Sequence, residues 1–144
     1  MAPRRPTTLP DALLLTCFDY RLPRLVARYM RARGLAGRYD HVALAGASLA
    51  VTHPALRTWG TTFLEQVQVA VDLHGVTRLL LLDHRDCGAY RVYLGLDQAI
   101  EPANETEVHA THLKAAGQVL ADRWPHLQVE LLLMDMSGQV ELVS

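Results

Sequence analysis

Cysteine is scarce in this chain of 144 residues, which holds only Cys17 and Cys87. Two thiols cannot build a disulfide scaffold, and a pair in a reducing compartment is metal-bound, catalytic or simply buried. Long hydrophobic runs are also missing. No uninterrupted apolar stretch exceeds five residues, whereas a membrane helix needs ~20, so no membrane association is expected. The opening segment carries Arg4 and Arg5 but only Ala12-Leu13-Leu14-Leu15 as an apolar run. A secretory signal needs ~7–15 apolar residues, so the expected compartment is the cytoplasm. Excess charge of one sign is absent too. With a formal net charge of −1, the chain offers no general field for nucleic acid. Lysine is nearly lacking, since 13 of the 14 basic residues are arginine. Arg24, Arg28 and Arg31 share one helical face without interleaved aromatics, which reads as a solvated face rather than a single-strand binding surface. Neither a Cys-x-x-Cys pair nor a Cys-x5-Arg loop is present, which counts against thiol redox and phosphatase chemistry.

What is present is a core. Half the residues are hydrophobic, and the length suits one domain over residues 1–144. Ala12–Leu15, Asp40–Ala45, Arg78–Leu82 and Leu127–Met134 read as strands, and Gln139–Val143 as a candidate fifth. The unbroken leucine runs among them are expected of strands covered on both faces. Between them, helical spacing links Leu22, Leu25, Val26, Tyr29 and Met30, then Trp59, Phe63, Val67, Ala70 and Val71, then Leu113, Ala116, Leu120 and Trp124. Gly34, Gly75 and Pro125 act as stops. The segment Pro102–Glu107 lacks a clear period and reads as irregular. Strands alternating with helices predict a single α/β domain, its mainly parallel sheet flanked by helices.

Both cysteines stand just past the end of an apolar strand run. Ligand sites of open parallel sheets form outside the carboxyl ends of strands, where the strand order reverses. A strand order beginning 2-1-3 brings the loops of Cys17 and Cys87 together. His84 and Cys87 form a His-x-x-Cys pair on one tight loop. With Cys17 they offer two thiolates and an imidazole, a donor set that suits zinc over calcium or magnesium and leaves a fourth position open. In an extended segment Cys17, Asp19 and Arg21 face one side. A carboxylate paired with a guanidinium stays ionised next to a metal-bound water; released from Arg21, Asp19 becomes a possible fourth ligand that shuts the site.

At these residues the sequence resembles the β-class carbonic anhydrases. Their Cys-x-Asp-x-Arg motif stands here as Cys17-Phe18-Asp19-Tyr20-Arg21, and their His-x-x-Cys-Gly motif as His84-Arg85-Asp86-Cys87-Gly88. Leu44-Ala45-Gly46-Ala47 lies where the family carries Asn-Ala-Gly, and the similarity spans roughly positions 12 to 140. The resemblance implies reversible hydration of carbon dioxide to bicarbonate through a zinc-bound hydroxide. Cys17, His84 and Cys87 would bind Zn2+, with Asp19 and Arg21 as the catalytic dyad. It also implies a homodimer or higher homo-oligomer, with a small-molecule substrate as the partner. Tyr20 replaces a common small hydroxyl residue, Asp83 a common glycine, and the middle-segment asparagine and a substrate-binding glutamine have no counterpart. These departures spare the metal ligands and fall on the substrate pocket, whose residues stay unassigned. Relatives on this scaffold hydrolyse carbonyl sulfide or carbon disulfide, which makes such a hydrolase one alternative. A zinc-stapled binding or regulatory module is the other.

Plainer readings apply elsewhere. His84-Arg85-Asp86 spells a kinase triplet, but no Gly-rich loop accompanies it. Gly46-Ala47-Ser48 is one residue short of a nucleophile elbow, and serine hydrolases are usually much larger. His109 and His112, spaced i, i+3, read as partly exposed helix residues, and Trp59 and Phe63 as core or subunit-interface residues. Any histidine that carries the proton away is left unassigned.

Overall fold

The computed structural model describes residues 9–144, so Arg4 and Arg5 lie outside the described residues. Five strands form one sheet: β1 (Ala12–Thr16), β2 (Tyr39–Ala43), β3 (Arg78–His84), β4 (Gln128–Met134) and β5 (Val140–Leu142). Their order is β2-β1-β3-β4-β5, with the first four parallel and β5 antiparallel to β4. The expected 2-1-3 start is therefore present. Helices α1 (Leu22–Ala32), α2 (Ser48–Thr52), α3 (Arg57–Val69), α4 (Gly88–Leu94) and α5 (Pro102–Arg123) connect and cover the strands. None of the described helices is long and apolar enough to cross a membrane.

Alternation along the central strands divides the core. Leu14, Leu80, Leu82, Leu132 and Met134 pack with Leu22, Val26 and Met30 on one face. Leu13, Leu15, Leu79 and Leu81 pack with Phe63, Val67, Leu113, Ala116 and Leu120 on the other. Each fully buried leucine contributes roughly 1.5–3 kcal/mol against exposure. Phe63 is thus core, as read from spacing, while Trp59 is half-buried against Tyr93. Arg24, Arg28 and Arg31 are exposed on α1, as a solvated face requires.

One local expectation changes. The Pro102–Glu107 segment is the first turn and a half of a 22-residue α5, with Pro102 pre-set for a helix start. Helix α4 carries too few residues for a periodic pattern to stand out. Strand β2 is a half-exposed edge, and this is why its sequence Tyr39-Asp40-His41-Val42-Ala43 mixes polar and apolar residues.

The register positions the site. Thr16 pairs with Leu82, so β1 and β3 end side by side and their following loops leave the sheet together.

Candidate metal centre

Cys17 follows β1 directly, His84 closes β3, and Cys87 precedes α4. Their ligand atoms lie within 4.8 Å of one another, and all three residues are buried. His84 hydrogen-bonds through Nδ1 to the Arg85 carbonyl at 2.7 Å, which fixes the ring and leaves Nε2 as the free atom. That buried Nε2 has no hydrogen-bond partner among the described residues. An unpaired buried nitrogen costs about 1–3 kcal/mol, so a ring held this way next to two thiols is poised for a ligand. The donor set Cys2His fits zinc with a fourth position left open.

The thiols are not equivalent. Cys17 accepts a hydrogen bond from the Gly46 N–H at 3.4 Å. The nearby Cys87 thiol, then the His84 ring and the Gly46 N–H, push its pKa down despite burial. Cys87 is pushed up by its bond to Cys17 and by burial. For His84, burial works against the charged form, but the neighbouring Cys17 sulfur and its charge outweigh burial and raise the pKa. Gly46 sits at φ 81°, a left-handed conformation that favours glycine. A Cβ there would come within 3.1 Å of Leu49 and 3.3 Å of Ala89.

Asp19 and Arg21 meet as expected. The Arg21 Nε and Nη2 donate to the two Asp19 oxygens at 3.0 and 2.9 Å, and the Arg21 backbone N–H adds a bond of 2.8 Å. Hydrogen bonding from Arg21 holds the Asp19 carboxyl down at about 2. Asp19 does not join the cluster of ligand atoms; it is turned toward Arg21. The guanidinium has a second grip. Nη1 and Nη2 donate to the Asp86 carboxylate at 2.9 Å and to the Asp86 carbonyl at 3.0 Å. Phe18 and Tyr20, on either side of Asp19, are 70% and 89% exposed.

Beneath the cluster lies a polar network that sequence reasoning missed. The Asp83 carboxylate accepts from the Ser48 backbone N–H at 3.0 Å, the Ser48 hydroxyl at 2.7 Å, the Tyr90 hydroxyl at 2.6 Å and His109 Nδ1 at 2.7 Å. Asp83 and His109 are each only 1% exposed. The reading of His109 as partly exposed is therefore corrected: it faces the sheet and pairs with Asp83. His112, one turn on, is half-buried and bonds Thr52 at 3.0 Å. Ser48 is bound to a carboxylate and a phenol rather than to a histidine base, so the nucleophile-elbow reading finds no support here. The available signal was an acidic residue directly after a leucine run on a buried strand, since a buried carboxylate demands donors.

Comparison with known proteins places this geometry. A family model described as "putative carbonic anhydrase" matches residues 10–144. An uncharacterised protein of Rickettsia conorii is 36% identical over 138 residues, covering 94% of this chain and 74% of that protein. One of Rickettsia bellii is 34% identical over 138 residues, covering 94% of this chain and 84% of its own length. The fold is similar to carbonic anhydrase from Streptococcus mutans, with TM-score 0.63, 17% identity, and coverage of 100% of this chain and 88% of that one. It is also similar to a tetrameric β-carbonic anhydrase of Sordaria macrospora, with TM-score 0.66, 16% identity, and coverage of 95% and 82%.

Proposed function

The chain belongs to the putative carbonic anhydrase family, and from that premise we propose that it catalyses the reversible hydration of carbon dioxide to bicarbonate and a proton. One observation carries the reading. Three buried zinc donors converge within 4.8 Å, and His84 Nε2 among them is unpaired. In this reading Cys17, His84 and Cys87 hold zinc, and Asp19 and Arg21 form the catalytic dyad. Zinc with three protein ligands supplies a nucleophile at neutral pH by lowering the pKa of water to ~7.

The protein's own residues supply the rest. Arg21 saturates one side of each Asp19 oxygen and keeps the carboxylate anionic, with its pKa at about 2. A carboxylate that acidic stores no proton at neutral pH. Asp19 acts instead as a fixed acceptor that orients the attacking water and discriminates against a fully hydrogenless species in its place. The Gly46 N–H donates to Cys17 Sγ and would moderate the charge that thiolate offers a bound zinc.

We further propose a cytoplasmic homo-oligomer. The exposed Phe18 and Tyr20 beside Asp19 support a subunit contact near the site, and the Sordaria macrospora relative is tetrameric. Light scattering that returns an active monomer would count against it.

The function is tested by stopped-flow indicator measurement of carbon dioxide hydration, run beside sulfide release from carbonyl sulfide. The expected result is hydration by protein carrying one zinc per chain. Cys87→Ser should lose zinc, and Asp19→Asn should keep zinc but lose turnover. Sulfide release without hydration would redirect the substrate to carbonyl sulfide. Zinc without either activity would leave a structural staple, and absence of zinc would remove the proposal.

A further inference from the structure

Asp86 lies between the two metal-ligating residues of the second loop and belongs to neither the donor set nor the dyad. Its backbone stands at φ 57°, a left-handed conformation uncommon outside glycine, asparagine and aspartate. The residue is held by four hydrogen bonds. Its carboxylate accepts from Arg21 Nη1 at 2.9 Å and from Arg91 Nη1 at 2.6 Å. Its carbonyl accepts from Arg21 Nη2 at 3.0 Å, and its N–H donates to Glu105 at 2.8 Å. Asp19, Arg21, Asp86 and Arg91 therefore form a row of alternating charge that runs from the metal-ligand loops onto α4.

We infer that Asp86 is a positioning residue that clamps Arg21 onto Asp19 and so holds the Asp19 carboxylate off the Cys17–His84–Cys87 cluster. The need for a clamp follows from magnitudes. A single partly exposed ion pair contributes only ~0–1 kcal/mol, whereas a dication nearby attracts a carboxylate strongly. Arg21 alone, 31% exposed on a flexible side chain, would yield Asp19 to such a charge. Fixing the guanidinium from its far edge removes that freedom, because a planar fork held at two edges has one orientation left. Asp86 also ties the first loop to the second, so both halves of the site move together. The consequence for metal coordination rests on the function proposed above; the clamp itself does not.

Asp86→Asn tests it with the backbone preserved, because asparagine tolerates the left-handed conformation. Arg91→Met provides a second variant that leaves residue 86 untouched and removes only its outer support. The first readout uses metal-free protein: solvent exchange of the Arg21 Nε–H by 15N NMR. Protection should fall roughly tenfold in Asp86→Asn and by about threefold in Arg91→Met, the scale of one charge-assisted hydrogen bond and of one weaker exposed pair. Unchanged exchange in Asp86→Asn overturns the clamp. The second readout is the d–d absorption of cobalt(II)-loaded protein. Asp86→Asn should shift these bands, and adding Asp19→Asn should abolish the shift, because the incoming ligand is that carboxylate. Lost Arg21 protection with an unshifted cobalt spectrum overturns the part of the inference that concerns Asp19. Wild-type protein that takes up neither zinc nor cobalt would sink the enzymatic reading, while Arg21 exchange would still decide the clamp.

Discussion

Asp83 and His84 are consecutive residues at the end of β3, each 1% exposed, yet their polar atoms are treated in opposite ways. Alternation sends Asp83 toward α2 and α5, where its carboxylate receives four hydrogen bonds. It sends His84 toward the other face, where Nε2 receives none. A buried carboxylate costs several kcal/mol unless paired, so the saturated residue is a fastening. A buried imidazole nitrogen left open beside two thiols is stability forgone for binding. The same strand end thus carries a structural joint and a candidate ligand site, and satisfaction of hydrogen-bonding capacity tells them apart. Tyr90 fits the first class: burial, and then the charge of Asp83, raise its pKa well above the usual value, so it stays a donor.

The largest effect expected from this contrast is on metal content. His84→Ala should bring zinc to background after dialysis while destabilising metal-free protein much less than loss of Asp83 does, because the one hydrogen bond given up is that of Nδ1 to the Arg85 carbonyl and Nε2 makes none. Metal analysis and far-UV circular dichroism of the same sample check both halves. Asp83→Ala should do the reverse. It strands the donors of Ser48, Tyr90 and His109, and removing one partner of a buried network costs about 3–5 kcal/mol. Urea unfolding of the metal-free variants measures it, and equal destabilisation by the two substitutions would break the comparison. Ser48→Ala removes one side-chain donor of the four and leaves the backbone N–H bond, so a loss of about 1 kcal/mol is expected.

The sequence exposed the sheet and the Cys17–His84–Cys87 cluster more readily than it exposed this joint. Unbroken leucine in Leu13–Leu15 and Leu79–Leu82 signals strands buried on both faces. Cys17 just past the end of β1 and His84 as the last residue of β3 are then brought together by topology alone. The partners of Asp83 could not be found that way. His109 sits 26 positions away on a helix whose apolar period begins only at Leu113, so its spacing looks like that of a solvated histidine. The grip of Asp86 on Arg21 spans 65 positions and depends on a left-handed backbone that local sequence does not announce. Contacts made by polar side chains across the fold carry no period, and period is what a sequence displays.

The smallest predicted effect concerns the rim, where the Asp19–Arg21 pair is neither buried like Asp83 nor open like His84. Its carboxyl pKa is depressed to about 2 in the folded protein by the Arg21 hydrogen bonds, against ~3.9 for an unfolded aspartate. A folded pKa below the unfolded one means that ionisation favours folding above the unfolded value. The contribution is therefore fully present at neutral pH, declines below pH ~4 and is gone once the pH passes under about 2. Arg21 is 31% exposed and Asp19 14%, so solvent screening limits the term to ~1 kcal/mol or less. Comparing metal-free wild type with Asp19→Asn by urea unfolding from pH 7 to pH 2 should show a margin that closes over that acid window. A margin constant across it would mean that Asp19 stabilises through neutral contacts, and the rim would then belong with the fastening rather than with the site.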